Sequence, residues 1–303
     1  MWYQAICSYL DGLIHKVNNF FTLANLEPAE KYSDLFSKYE IYIAAPSWNS
    51  GNFPKEVYGK SINFIAVDDL KNKDFVELLN MLDGMAYGEE GIPIDKWVSY
   101  DMAMLPSAII GFCERSKTAQ LKIKDAFSNY KKNDKPKIDM DRYRGLIPIS
   151  EYSAIPASDG KTWISHTLAV LQALSENGLG MLTKTVGFGI LKPKYIAGVA
   201  QYDNSSLRVH TKFGRLEILS ALTPAHSIPE MTFTYRVKVP EKEKLLDLLS
   251  ENSIRGSYEA SFFLDPNDIK MKETMQKKIM NGTYAYFIVR PGLIEENGTV
   301  YLY

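Results

Sequence analysis

The chain has 303 residues, 46% of them hydrophobic and 23% charged, with a formal net charge of −1 and two cysteines. These values are typical of a globular protein, so they argue against disordered and fibrous classes, and two cysteines argue against a disulfide framework. No apolar run reaches the length of about 18 residues that crosses a bilayer, and no secretory signal begins the chain, so we expect a cytoplasmic protein without membrane contact.

The N-terminal part is predicted to mix helices and strands. Residues 3–21 place apolar side chains at three- and four-residue spacings, which predicts an amphipathic helix that packs on the core, a partner protein or a second copy. Strand-like runs follow at 39–45 and 61–67, the second before a helix at 75–82. Residues 102–112 suit a strand and a buried helix equally well. A basic helix is predicted next, over 117–132.

A domain boundary is predicted where the chain becomes charged and contains a proline. This boundary divides the chain into a mixed α/β domain over 1–132, a linker over 133–141 and a β-rich α+β domain over 142–303. The expected fold class is therefore α+β, with helices and strands in both parts.

The second part is predicted to begin with a buried helix and to continue mainly in strands. Asp159 and Gly160 are predicted to cap an apolar helix over 163–174, which Gly178 closes. Four strand-like segments follow, at 181–191, 195–202, 207–212 and 215–222. From residue 231 onward the pattern alternates as βαβαββ, which predicts a ferredoxin-like layer.

Acidic residues and a histidine are the candidate catalytic groups. The sequence contains no nucleophile elbow, no zinc-protease motif and no complete P-loop, and its histidines lack metal-ligand spacing, so no metal site is predicted. Asp68 and Asp69 follow a predicted strand, where carboxylates hold Mg²⁺ or act as acid and base in enzymes of nucleotides and phosphorylated small molecules. His166 is the third candidate. The alternative is that the aspartates stabilise helix starts and that the histidine is structural.

Lysine 184 lies in a glycine-containing segment that favours contact with a phosphate. Glycines two residues apart permit close approach of a ligand, although bulges and sheet packing explain the same residues. The glycines concerned are Gly178, Gly180, Gly187 and Gly189.

Clustered basic residues give the leading functional hypothesis. Residues 115–144 have a local charge balance of +6, with tyrosines interleaved, and basic residues alternate over 208–212 as on one face of a strand. Lysine and arginine bind phosphates and aromatic rings stack on bases, so we expect a protein that binds RNA or single-stranded nucleic acid. The expected contacts are Lys122, Lys124, Lys131, Lys132, Lys135, Arg142, Arg144, Lys184, Arg208, His210, Lys212 and Arg215.

Two other hypotheses stay open beside nucleic-acid binding. The first is the enzyme with Asp68 and Asp69 at its site, and the second is a subunit of a larger complex that docks through the N-terminal helix. No cofactor is predicted except Mg²⁺ in the enzyme. No segment matches a family motif.

Overall fold

A mixed β-sheet is the centre of the computed structural model, which describes residues 30–87, 101–102, 105–130, 138–172, 174, 178–224, 228–249 and 259–298. Within these ranges the sheet contains thirteen strands. They are β1 (Glu40–Ala45), β2 (Glu56–Val57), β3 (Lys60–Ala66), β4 (Ala108–Arg115), β5 (Leu146–Pro148), β6 (Ser150–Pro156), β7 (Thr162–Val170), β8 (Tyr195–Gln201), β9 (Leu216–Ser220), β10 (Thr232–Lys238), β11 (Phe262–Phe263), β12 (Tyr284–Arg290) and β13 (Leu293–Gly298).

Seven helices accompany the sheet in the described part of the chain. They are α1 (Glu30–Lys38), α2 (Lys73–Tyr87), α3 (Leu121–Ser128), α4 (Leu179–Leu191), α5 (Leu207–His210), α6 (Lys242–Asp247) and α7 (Ile269–Met280). None of these helices combines the length and the apolar character that a membrane span requires. The mixture of helices with a mixed sheet confirms the predicted α+β class.

The strands follow the order β11-β13-β12-β9-β10-β8-β7-β6-β4-β1-β3-β2, and β5 pairs beside β4. Two neighbouring pairs are parallel, β1 with β3 and β7 with β8, and the other pairs are antiparallel. The sheet does not break at the predicted linker, because β4 pairs with both β5 and β6. The division into two domains and the ferredoxin-like tail stay predictions.

Helices α2 and α4 cover opposite faces of the sheet around β6. Successive side chains of a strand point to opposite faces. Tyr152 of β6 packs against Gly187 of α4, whereas its neighbour Ser153 lies with Thr167 on the face where Asp83 of α2 is found. The central strands are thus buried on both faces, which explains why apolar residues dominate β1 and β4 without alternation.

Three predicted elements of the second part are wrong. Of residues 163–174, 163–170 belong to strand β7 rather than to a helix, and the Asp159–Gly160 segment is the turn that precedes this strand. Residues 181–191 form helix α4, so Gly178 begins a helix instead of ending one. Residues 207–210 are the short helix α5 rather than part of a strand. In each case tertiary packing overrides the local pattern of side chains.

Most other predicted elements of the described chain are confirmed. Strands β1, β3, β8, β9, β10 and β12 and helices α2, α3, α6 and α7 lie where they were expected. Residues 102–112, left open between strand and helix, contribute to β4. The N-terminal amphipathic helix and the last predicted strand lie outside the described residues, as does Cys7, while Cys113 is a buried free thiol.

The close packing of α4 on β6 gives a test of the fold. A Cβ atom at residue 187 would lie 2.6 Å from Cδ1 of Tyr152, whose ring is fully buried. We expect Gly187→Ala to lower the free energy of unfolding by about 1–3 kcal/mol because the core is overpacked. Urea unfolding followed by circular dichroism measures this change.

The matched control is Gly180→Ala in the same helix, where the added Cβ would lie 3.4 Å from Cγ2 of Val170, an ordinary contact. Alanine has the higher helix propensity, so this variant should be unchanged or stabilised by up to about 1 kcal/mol. Equal losses in both variants would contradict the described packing.

Candidate active site

A gap opens in the sheet between the parallel strands β7 and β8. The two strands pair over only three positions, which join Thr162 to Tyr195, Trp163 to Ile196 and Ile164 to Ala197. Beyond these positions β7 continues to Val170 and β8 to Gln201, and no further pairing joins the two strands. The strands therefore part towards their carboxyl ends, which is the side where ligands bind in many α/β proteins.

A β-bulge in β7 lies where the two strands part. Ser153 of β6 pairs with Thr167 and Ala154 pairs with Ser165, so His166 is an extra residue without a partner position on β6. A bulge bends its strand and increases its twist. Because the bulge follows directly after Ile164, the last residue of β7 that pairs with β8, it explains why β7 turns away from β8.

The N-terminus of helix α4 lies at the end of β7. Gly178 precedes the helix in the left-handed conformation, with φ of +79°, and its carbonyl accepts the first helical hydrogen bond, from Leu182. The N–H groups of residues 179–181 thus point out of the helix end, which also carries the positive end of the helix dipole. The Cβ contact of Gly180 with Val170 places this first turn against the last residue of β7.

Buried polar groups lie behind the point of divergence, on the α4 face of the sheet. Lys184 of α4 and His210 of α5 share a hydrogen bond between Nζ and Nδ1, and the hydroxyl of Tyr235 lies 3.5 Å from the same ring nitrogen. The Lys184 amine lies among aromatic rings, 5.6 Å from the ring centroids of both Phe188 and Phe213. All of these side chains are buried.

Tyr235 connects this cluster to the first unpaired residues of the two strands. It pairs with Gly198 of β8, and a Cβ atom at Gly198 would lie 3.1 Å from the tyrosine hydroxyl. Hydrogen bonding from Ser165 of β7 lowers the pKa of Tyr235 and of Tyr152, although burial has the larger effect and raises both. Ser165 follows the last residue of β7 that pairs with β8, and Gly198 follows the last residue of β8 that pairs with β7. The cluster therefore extends to the apex of the gap, where the two strands part.

Burial favours the uncharged forms of this cluster. It lowers the pKa of Lys184 from 10.5 to about 7. Burial and, to a smaller extent, the Lys184 charge hold the pKa of His210 well below its usual range. An ammonium group among aromatic rings has no nearby carboxylate in the described contacts, so the neutral amine is the form that the packing favours.

A second polar cluster lies on the α2 face, beneath the parted segment of β7. Thr167 donates a hydrogen bond to Asp83 Oδ1 at 3.3 Å. Glu151 is buried beside Asp83, and burial together with the Asp83 charge raises its pKa well above the usual range. The Tyr87 hydroxyl bonds to the backbone of Leu168, and burial raises the pKa of this phenol to about 12.

The sequence-predicted aspartates lie elsewhere and are already bonded. Both carboxylate oxygens of Asp68 accept hydrogen bonds from Ser47, and these bonds lower its pKa. Asp69 caps a 3-10 turn through the N–H of Lys71. Among the described residues no group of three or more acidic, histidine or cysteine side chains is arranged to hold a metal. By contrast, His166, the third candidate, is the bulged residue of β7 where the two strands part, and it is exposed.

The predicted nucleic-acid contacts do not form one surface. Lys184 and His210 are buried, and Arg208, His210 and Lys212 do not alternate along a strand, because residues 207–210 are helical. Arg215 forms an ion pair with Glu295. Lys122 and Lys124 lie on α3, and Lys131, Lys132 and Lys135 lie outside the described residues.

The last two predicted contacts, Arg142 and Arg144, line a separate cleft of about 530 Å³. Arg142 forms an ion pair with Asp139 there, and the guanidinium of Arg144 bonds to backbone carbonyls. Acidic and basic side chains thus face each other in this cleft, which gives it little attraction for a polyanion.

No protein-family model matches the chain, and a search of curated proteins finds no match. Solved structures do match. An aminoglycoside 6'-acetyltransferase type Ii has 14% identity and a TM-score of 0.37, covering 57% of this chain and 96% of its own. The aminoglycoside 6'-N-acetyltransferase from Enterococcus faecium has 13% identity and a TM-score of 0.36, with the same coverage of 57% and 96%. FeeM, an N-acyl amino acid synthase from uncultured soil microbes, has 12% identity and a TM-score of 0.36, covering 62% and 93%.

The hypothesis that this chain binds RNA or single-stranded nucleic acid is wrong. The basic strand face on which the hypothesis depended is replaced by a short helix with a buried histidine. All three TM-scores lie below 0.5, so we assign function from the geometry of the gap alone.

Several residues of the gap escaped the sequence analysis. Ser165, Tyr235 and Tyr87 belong to no spacing pattern, and only the folded sheet brings them together. A signal did exist for α4, because Gly178, Leu179 and Gly180 directly precede a long apolar run. Glycines at the start of a helix permit a ligand to approach the free N–H groups.

The buried lysine predicts how stability depends on pH. Because the pKa of Lys184 is about 7 in the folded chain and about 10.4 when unfolded, the unfolded chain holds more protons between these values. Stability should therefore rise with pH in this window, by up to about 1.4 kcal/mol per pH unit from this residue. The contribution is complete above the unfolded pKa and is lost as the pH falls to 7.

We expect Lys184→Met to remove this slope between pH 7 and 9, below the range where tyrosines ionise. Urea unfolding at several pH values measures the difference between the variant and the wild type. Lys122→Met, at an exposed lysine of α3, is the control and should keep the wild-type slope. If Lys184→Met also keeps it, the lysine is not neutral in the folded protein.

Proposed function

We propose that this protein is an acyltransferase, which moves an acyl group from a phosphate-bearing thioester such as acetyl-CoA to an amine. The observation that supports this most directly is the parting of β7 and β8 in front of the α4 N-terminus. The gap offers two kinds of binding group. These are the free N–H groups at the start of α4 and the edge of β7 that β8 leaves unpaired. A carrier with phosphates at one end and a peptide-like arm at the other matches both.

The phosphates of the carrier would bind at the start of α4. Helix N-termini bind phosphate through free N–H groups and the helix dipole. Gly178 and Gly180 have no side chain to obstruct this approach, and the left-handed conformation of Gly178 suits glycine. No lysine or arginine of the described residues is required for this contact.

The arm of the carrier would lie along the edge of β7. An extended chain with amide groups binds to a strand edge by main-chain hydrogen bonds, as an added strand does. Past Ile164 the β7 edge has no β8 partner, so it can accept such an arm. The thioester would then lie near the bulge, between the α4 N-terminus and the apex of the gap.

The transfer itself needs a neutral amine and a group that takes its proton. The amine nitrogen attacks the thioester carbon, the C–N bond forms, the C–S bond breaks and the sulfur leaves as a thiolate. We assign His166 as the acceptor of the amine proton. The bulge lies where the two strands part, and desolvation lowers the pKa of the His166 ring. The proton then passes to the thiolate, so the products are an amide and a free thiol.

This reaction class is also that of the neighbouring structures, which are named as two aminoglycoside acetyltransferases and an N-acyl amino acid synthase. It also agrees with the enzyme hypothesis from the sequence, in which the protein acts on a nucleotide or phosphorylated small molecule. The proposed site differs from the one predicted there, which contained Asp68 and Asp69. Acyl-CoA carriers are intracellular, in agreement with the cytoplasmic location that we predict from the sequence.

A charge placed at the start of α4 tests the phosphate site. We expect Gly180→Glu to weaken CoA binding about tenfold or more relative to Gly180→Gln, because the carboxylate repels the phosphates at the helix end. Isothermal titration calorimetry with CoA measures both dissociation constants. The two side chains have the same size, and a glutamate in the first turn favours the helix dipole, so unfolding does not explain a difference. Equal dissociation constants would remove α4 from the site.

The role of His166 has its own test. We expect His166→Gln to lower kcat for acetyl transfer by about 100-fold or more and to leave the dissociation constant of CoA unchanged, because only the proton acceptor is lost. Release of free thiol from acetyl-CoA, measured with a panel of amines, gives kcat.

The control for His166 is Asp68→Asn. Asp68 follows β3, which is four strands from β7 in the sheet, or about 19 Å at the usual strand spacing. This variant should keep the wild-type kcat. A wild-type protein that neither binds CoA nor releases thiol would overturn the proposed activity as a whole.

A further inference from the structure

Tyr87 occupies the edge of β7 that β8 leaves unpaired. Its hydroxyl donates to the Leu168 carbonyl at 2.8 Å and accepts from the Leu168 N–H at 3.3 Å. Leu168 lies opposite Tyr152 in the β6–β7 register, two positions past the bulge and inside the parted segment. A single side chain from α2 thus satisfies both backbone groups of one strand residue.

These two groups are the ones that an added strand would bond. In a sheet, a residue whose N–H and C=O point away from one neighbouring strand directs both groups towards the strand on its other side. Since Leu168 directs both groups to the side of the gap, β8 would bond them if the ladder continued past Ile164. A strand edge without partners is unfavourable where water is excluded, and the Tyr87 hydroxyl takes the partner's place.

We propose that Tyr87 is a positioning residue that holds the binding place of the carrier's amide on Leu168 and gives it up when the carrier binds. This inference rests on the proposed function, because it requires a ligand arm along β7. Two successive amides of the carrier's arm would replace the two bonds that Tyr87 makes in the free protein: the N–H of one would donate to the Leu168 carbonyl, and the C=O of the other would accept from the Leu168 N–H.

The surroundings of Tyr87 provide the hydroxyl with a second partner. Burial raises the pKa of Tyr87, and a hydrogen bond to the side chain of Thr167, which in turn donates to Asp83, reduces this rise. When the arm takes the Leu168 groups, the hydroxyl keeps this neighbour on the α2 face. The exchange therefore leaves no polar group without a partner, so the free-energy cost of moving Tyr87 from Leu168 is modest.

Removal of the hydroxyl tests the exchange. We expect Tyr87→Phe to bind CoA more tightly than the wild type, by up to about tenfold, because the variant has no hydrogen bonds to break at Leu168. Isothermal titration calorimetry measures the dissociation constant. An unchanged or a weaker affinity would overturn the inference, since the hydroxyl would then not compete with the carrier.

Hydrogen exchange of the Leu168 amide gives a second readout that packing alone does not change. In the free wild type Tyr87 protects this amide, in free Tyr87→Phe the protection should be lost, and CoA should restore it in the variant. If CoA leaves the Leu168 amide of the variant unprotected, the arm does not bind there and the inference fails.

The matched control is Tyr130→Phe. Tyr130 also packs on α2, against Gly84, and its hydroxyl makes no hydrogen bond among the described residues. This variant should keep the wild-type affinity and the wild-type protection of Leu168. A wild type that binds no CoA overturns the proposed function and this inference together. A wild type that binds CoA, with no gain in Tyr87→Phe, overturns only the inference.

Discussion

One additional residue in β7 determines where this sheet opens. Without the bulge at His166, the backbone of β7 would continue beside β8, and the parallel ladder that begins at Thr162 would close. With the bulge, the strand bends after three paired positions. The remaining edge of β7 then turns towards α2 on one face and towards the start of α4 on the other. The bulged residue is His166, so the residue at which the strands part is also the one that we propose as the base.

The burial of α4 explains the unusual groups near the apex. The helix lies between the sheet and the flanking elements, and residues 181–190 are all buried. Gly187 and Gly189 permit this by accepting the rings of Tyr152 and Tyr58 against the helix backbone. A lysine in such a helix cannot reach water, so burial favours its neutral form, and it bonds to His210 instead of meeting a phosphate. The polar cluster is thus a consequence of close packing and not of clustered charge.

The sequence predicted the class of fold and the strands with clear patterns, such as β1, β3, β8 and β10. It failed at α4 because β-branched residues such as Thr183, Thr185 and Val186 favour a strand locally and the glycines disfavour a helix, and only packing on the sheet reverses these preferences. It failed at α5 because three basic residues at alternate positions suit a strand, while the segment forms a single helical turn. Of the site, His166, Lys184, His210 and the glycines at the start of α4 were noticed, but Lys184 and His210 were expected to contact nucleic acid and are buried instead. Tyr87, Ser165 and Tyr235 come from elements far apart in the chain, and no local pattern joins them.

The short ladder between β7 and β8 also affects how cooperatively the protein unfolds. Within the described chain, this is the place where backbone hydrogen bonds connect the β2–β7 half of the sheet to the β8–β13 half. The ladders on either side of it, β6–β7 and β8–β10, have seven paired positions each. Side chains of α4 also join the two halves, since Lys184 bonds to His210 and Phe188 packs on Phe213. A ligand lying in the gap would bond to one half and pack on the other, and would join them into a single thermodynamic unit.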